Sequence, residues 1–132
     1  MILVPPADAA RMWPRIEGYV ASAIAYSGGR YAPVDFLARI LVGQAELLVS
    51  ADLTLVGILE PQQFPRLRVL SFTLAGGEPN GGHSWDDLFG AVRDSAVRHG
   101  CSLIEIIGRP GWAKLAGPHG YTPTATVLAR EV

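Results

Sequence analysis

This sequence has little of what most functional classes require. Its 132 residues contain one cysteine, Cys101, so no internal disulfide can form and a reduced, intracellular setting is expected. Histidine occurs only as His83, His99 and His119, with no metal-ligand spacing among them. Charged residues make up 17% and nearly cancel, to a formal net charge of -1. Lys and Arg are scattered, so neither nucleic acid nor an anionic membrane meets an attracting field. No apolar run approaches the roughly 18 residues of a membrane span. Four apolar residues before Pro5-Pro6 do not make a signal peptide. A nucleophile elbow, Gly-x-Ser-x-Gly, is absent as well.

What remains is 49% hydrophobic, enough for a sizeable core, and the length suits one domain over residues 1–132. Ile2 to Val4 read as a short strand ended by the proline pair. Asp8 is a candidate N-cap for a helix whose apolar face is Met12, Ile16, Tyr19, Val20, Ala23 and Ile24. Pro14 is expected to kink or restart that helix, and Ser27-Gly28-Gly29 ends it. Pro33 to Val42 read as a second helix with Phe36, Leu37, Ile40 and Leu41 inward, stopped by Gly43.

Three strands follow, about Ala45 to Ser50, Leu53 to Leu59 and Leu67 to Leu74. Ala51-Asp52 is a tight hairpin between the first two, and Pro61 and Pro65 bracket a longer turn. Ala75 to His83 is a Gly-rich loop. Ser84 to His99 read as a helix with Leu88, Phe89, Val92, Ala96 and Val97 on one side, closed by Gly100. Ser84 with Asp87 three residues on forms a capping box. Leu103 to Ile107 is nearly all apolar, the pattern of a central strand covered on both faces. Cys101, at its start, reads as a small core residue. A short helix near Trp112-Ala113-Lys114-Leu115 and a last strand, Ala125 to Leu128, complete a mixed α/β order, β-α-α-β-β-β-α-β-α-β.

That order, with the run from Gly100 to Trp112 and the later His119-Gly120-Tyr121, resembles the GNAT acyltransferase fold over essentially the whole chain. The resemblance implies an acetyl-CoA site. In that family a loop of pattern Gln/Arg-x-x-Gly-x-Gly/Ala leads into the third helix and cradles the CoA pyrophosphate with free backbone N–H groups. The equivalent segment here is Glu78-Pro79-Asn80-Gly81-Gly82-His83-Ser84, so Asn80, Gly81, Gly82 and Ser84 would be its cofactor contacts. Glu78 replaces the Gln or Arg, Pro79 removes a donor, and His83 stands where Gly or Ala lets phosphate approach. Asp86 and Asp87 already supply anions to the helix terminus.

Glu105, the lone carboxylate of the apolar strand, is the candidate general base, since burial would raise its pKa; pairing with Arg109 or a backbone donor is the plainer reading. The family's general-acid tyrosine would fall at Ala116. Arg109 and Trp112, in the rigid turn Gly108-Arg109-Pro110-Gly111-Trp112 at the strand's end, are candidate ligand or partner contacts. Trp85, Trp112 and Trp13 are candidates for an aromatic cluster.

The run Gly-Cys-x-x-Ile-Glu-Ile-x-Gly-Arg-x-Gly-Trp further resembles small GNAT-like proteins of tailed bacteriophages. That resemblance implies a non-catalytic, protein-binding structural or accessory component, in the host cytoplasm or on the virion. Its partners would be phage structural proteins or further copies of itself. The competing expectation is an active N-acetyltransferase transferring acetyl from acetyl-CoA to an amine.

Overall fold

The computed structural model describes residues 1–79 and 81–132. Asn80, one of the expected cofactor contacts, lies outside them.

A five-stranded sheet in the order β1-β2-β3-β4-β5 carries two helices on each face. The strands are β1 (Ile2–Val4), β2 (Glu46–Val49), β3 (Leu55–Gln63), β4 (Arg68–Gly77) and β5 (Leu103–Ile106). The first four pair antiparallel, and β5 joins β4 in parallel. On one face α1 (Pro6–Ile24) and α2 (Pro33–Leu41) bury Trp13, Ile16, Val20, Phe36 and Ile40 against Leu47, Val49, Val56 and Ile58. On the other, α3 (Trp85–Arg98) and α4 (Gly111–Ala116) close over Leu48, Leu55, Leu70 and Phe72. The mixed α/β, GNAT-like fold expected from the sequence is the fold found.

Local chemistry explains most boundaries. Ser84 caps α3, its side-chain oxygen accepting the Asp87 amide at 3.4 Å. The Ala32 amide donates to Asp35 at 2.8 Å, anchoring the start of α2. Pro6 occupies the first position of α1, so the expected cap at Asp8 falls inside the first turn instead. Pro14 does not break α1; it lies on the exposed side, where solvent can satisfy the carbonyl that it frees. Pro61 is likewise inside β3 rather than in a turn. β2 ends opposite Leu59, so Pro61 stands where β3 has become an edge and a missing N–H costs nothing. Gly76 gives α1 its seat: an added Cβ would lie 2.4 Å from the Tyr19 carbonyl oxygen.

β4 carries an irregularity that shapes everything downstream. Ile58 pairs with Leu74 and Leu59 with Phe72, leaving Thr73 as an extra residue. Leu70 and Phe72 therefore face α3, whereas Leu74 faces α1.

Two expectations fail at the C-terminal end. The last strand, Ala125 to Leu128, does not form: residues 122–132 are exposed and outside regular structure. β5 is consequently an edge strand rather than a central one, with Leu103 and Glu105 exposed. Periodicity reports that a segment suits a sheet; whether a neighbour is present depends on distant pairing. Among the described residues no helix is long and apolar enough to cross a membrane.

Candidate functional site between α3, α4 and the end of β5

The pairing of β4 with β5 ends at Phe72 and Ile106. β4 then continues to Gly77 while the other chain turns away through Gly108-Arg109-Pro110 into α4. The two strands thus splay beyond the bulge, and a wedge opens at the C-terminal end of β5, the position where open α/β sheets receive ligands. The N-terminus of α3 and the loop before it lie at the end of β4.

That loop is filled by its own histidine. His83 Nε2 donates to the Glu78 carbonyl oxygen at 2.9 Å, and the Gly81 amide donates to the same oxygen at 3.1 Å. A Cβ on Gly77 or Gly81 would come within 2.8 and 2.6 Å of the His83 ring, so both glycines exist to admit it. The Glu78 carboxylate turns to α1, where the Tyr19 hydroxyl donates to it at 2.7 Å. That hydrogen bond, with slight burial and the charges of Glu78 and Asp52, raises the Tyr19 pKa.

The charge beside the loop is of the wrong sign for a phosphate. A cleft of about 260 Å³ next to Gly81, Gly82 and Ser84 is also lined by Asp52 and Asp87. Hydrogen bonds from Thr54 and Ser50 hold Asp52 below the ordinary carboxylate range, so it is an anion at neutral pH.

From His83 an aromatic series crosses the groove. His83 meets Trp85 at 6.0 Å between ring centroids, Trp85 meets Trp112 at 6.1 Å, and Trp112 meets Phe72 at 5.7 Å, each near edge-to-face. Trp85 opens α3 and Trp112 stands at the start of α4, so the pair bridges the two helices beside the wedge. Gly108 admits Trp112: a Cβ there would lie 2.7 Å from the indole. Phe72 continues into Phe89, which stacks on His119 at 4.3 Å and touches Tyr121. Trp13 is buried on the opposite face of the sheet, so the expected tryptophan cluster is a pair.

The sequence-predicted site residues are only partly brought together. Gly81, Gly82 and Ser84 do form the loop before α3. Glu105 pairs across the ladder with Ser71 but is exposed, so the burial expected to make it a base is not there. Nor does it pair with Arg109, whose guanidinium lies 3.8 Å over the Tyr26 ring, joining the start of α4 to the end of α1. Ala116 is buried where the family's acid would stand, and Tyr121 packs against Phe89 as a plug. Cys101 is partly buried against the α3-side core.

Sequence reasoning missed Glu60. This carboxylate is 5% exposed on β3, paired with Arg39 of α2 at 2.5 Å and accepting the Thr73 hydroxyl at 2.7 Å. The bulge residue thus hydrogen-bonds the buried carboxylate of an ion pair whose arginine is half-exposed. A glutamate closing the apolar run Leu55 to Leu59 was the available signal. Among the described residues no group of three His, Cys, Asp or Glu could hold a metal ion.

No protein-family model and no curated protein sequence matches the chain. Solved structures do. A predicted acetyltransferase from Clostridium acetobutylicum with acetyl-CoA superposes with a TM-score of 0.71 at 11% identity, covering 98% of this chain and 94% of that one. A ribosomal-protein-alanine N-acetyltransferase from Brucella melitensis biovar Abortus 2308 gives 0.67 at 16%, covering 99% and 98%. An aminoglycoside N-acetyltransferase in complex with CoA gives 0.69 at 12%, covering 93% and 90%. The chain therefore has the fold of the GNAT acetyltransferases. At these identities the likeness extends to the fold and leaves activity to the site itself.

Tested against CoA, the site does not fit. The loop that would cradle a pyrophosphate holds His83, its flank is acidic, and Trp85 and Trp112 pack edge-to-face between the starts of α3 and α4.

Proposed function

We propose that this protein is a GNAT-fold domain without acyl-transfer activity that works by binding protein, as a component or accessory of a bacteriophage particle. The observation that carries the reading is the continuous series His83, Trp85, Trp112 and Phe72. Its side chains stabilise one another and run from the loop before α3 to the start of α4, the region from which the family resemblance implies CoA would be bound. The buried Ala116, in place of a proton donor, adds to it. So do the anions Asp52, Asp86 and Asp87 near the loop, which oppose a phosphate there.

The binding half of the reading draws on the C-terminal region, where an unpaired strand edge and exposed apolar residues lie together. The phage setting draws on the resemblance carried by Gly100 to Trp112 and Gly120-Tyr121.

Isothermal titration with acetyl-CoA and with CoA tests the reading. The expected result is no heat at roughly millimolar ligand, a limit of about -4 kcal/mol in binding free energy. Micromolar binding that disappears in Gly82→Asp would overturn it and establish the competing reading, acetyl transfer to an amine.

A further inference from the structure

We infer that the groove along α3, beside the turn at Gly120, is a binding site for a small aromatic carboxylate. The inference goes beyond the protein-binding reading above and does not rest on it.

The groove encloses about 660 Å³, within the range of small-molecule sites, and shares no lining residue with the cleft at Gly81 and Gly82. One wall is a stripe of α3. Asp86, Gly90, Arg93 and Val97 follow one another at steps of four, three and four residues, so they lie on one helix face. The other wall is the turn His119-Gly120-Tyr121. Phe89 and Ala96, both buried, form the base.

Two residues of the stripe do nothing for the fold. Gly90 lies mid-helix, where glycine is destabilising, and a Cβ there would meet nothing within 4 Å. Packing does not demand its bareness; the bareness keeps the groove wide. Arg93 is exposed at the rim and makes no ion pair among the described residues, whereas Arg98, further along the same helix, is held by Glu46.

The occupant's chemistry follows from these walls. His119 stacks on Phe89 at 4.3 Å with 23° between the ring planes, and Tyr121 meets Phe89 at 5.5 Å. A bare stretch of helix beside a wall of rings leaves room for a flat apolar group, held by stacking and by burial. Arg93 offers a planar fork of donors that matches a carboxylate. Asp86 would repel that carboxylate, but it stands seven residues earlier, about 10 Å along the helix axis. It is also engaged by His119 at 3.3 Å. The ligand is therefore oriented, with its carboxylate at the Arg93 end and its ring toward His119.

The test is titration of the full chain, labelled with nitrogen-15, with indole-3-acetate, followed by amide NMR shifts. The expected result is saturable shifts at Gly90, Arg93, Cys101 and Gly120, with Kd about 1 mM for a ligand of this size. Uncharged indole-3-acetamide should bind about 5-fold more weakly, the scale of an exposed charge pair. Arg93→Gln should weaken the acid by the same factor and leave the amide unchanged, which a loosened fold would not do. Gly90→Leu should abolish the shifts and raise the melting temperature, because leucine fills the wall and is the better helix former. The site is overturned by the absence of saturable shifts at roughly 10 mM ligand. It is overturned equally if acid and amide bind alike, if binding survives Gly90→Leu, or if octanoate binds more tightly than the aromatic acid. None of these outcomes involves CoA, so their failure leaves the silent domain standing, and micromolar CoA binding would leave this site untouched.

Discussion

The two ends of this chain treat the same sheet differently. Through Ala96 the molecule is closed: Leu47, Val56, Ile58 and Leu59 are wholly buried between two pairs of helices. After Ala96, Ala116 is the one buried hydrophobic residue among those described, although Leu103, Ile107, Val127 and Leu128 are all apolar. Apolar content is similar in both regions, so composition did not decide the outcome. What differs is partnership. β2, β3 and β4 have neighbours on both edges, and β5 has one. The difference teaches that the first region supplies stability and the second leaves apolar surface uncovered.

The largest effect should come from the core. Ile58→Ala, removing a fully buried side chain between β3 and α1, should cost about 3 kcal/mol by transfer and cavity terms together. Leu103→Ala, a comparable truncation in β5, should cost less than about 1 kcal/mol in the single chain. Urea unfolding of both variants checks the contrast. Equal losses would erase the distinction between the regions.

A second contrast uses two glutamates flanking the wedge. Glu60→Gln weakens an ion pair whose carboxylate is buried but whose arginine is half-exposed, for an expected loss of about 1 kcal/mol after solvent screening. Glu105→Gln, exposed and without an ion pair, should stay within about 0.5 kcal/mol. Thermal melts of the two variants side by side would show it.

The smallest effect is a pH dependence. Burial pushes the Glu46 carboxyl up, but hydrogen bonds from Ser95, Arg98 and His99, with the charge of Arg98, outweigh it and hold the carboxyl below its ordinary value of 4.5. A carboxyl depressed in the folded state contributes stability that is complete above its unfolded pKa and is lost as pH falls through the folded one. The β2–α3 clamp should therefore weaken below about pH 4.5. In Glu46→Gln the melting temperature should fall less steeply on acidification than in the wild type. Parallel slopes would place the acid sensitivity elsewhere, Asp52 being the next candidate because its carboxyl is also held low.

What could be read from the sequence was whatever is written locally. α3 was legible to its caps because Ser84 and Gly100 sit beside an amphipathic run. The departures at the phosphate loop were legible too, since His83 and Glu78 stand within a short pattern. What the sequence did not disclose was how they are used. Glu78 turns aside to Tyr19, and His83 folds back between Gly77 and Gly81. The ion pair of Arg39 with Glu60 joins residues far apart in the chain, and no period announces it. Glu105 misled for a related reason. An all-apolar context predicts burial only when both neighbours of a strand are present.

The extra residue at Thr73 makes β4 behave like a reading frame. Upstream of it, even-numbered side chains face α3; downstream, they face α1. Drawing Thr73 into the ladder opposite Ile58 would bring Leu74 back into phase with Phe72 and turn the strand's second half over. Gly76 would no longer present its bare backbone to Tyr19, and Gly77 could no longer seat His83. The protein can therefore vary the lengths of its loops, but β4 has a fixed count. A shift of one residue in it would scramble the helix seat and the groove together, and leave the composition almost unchanged.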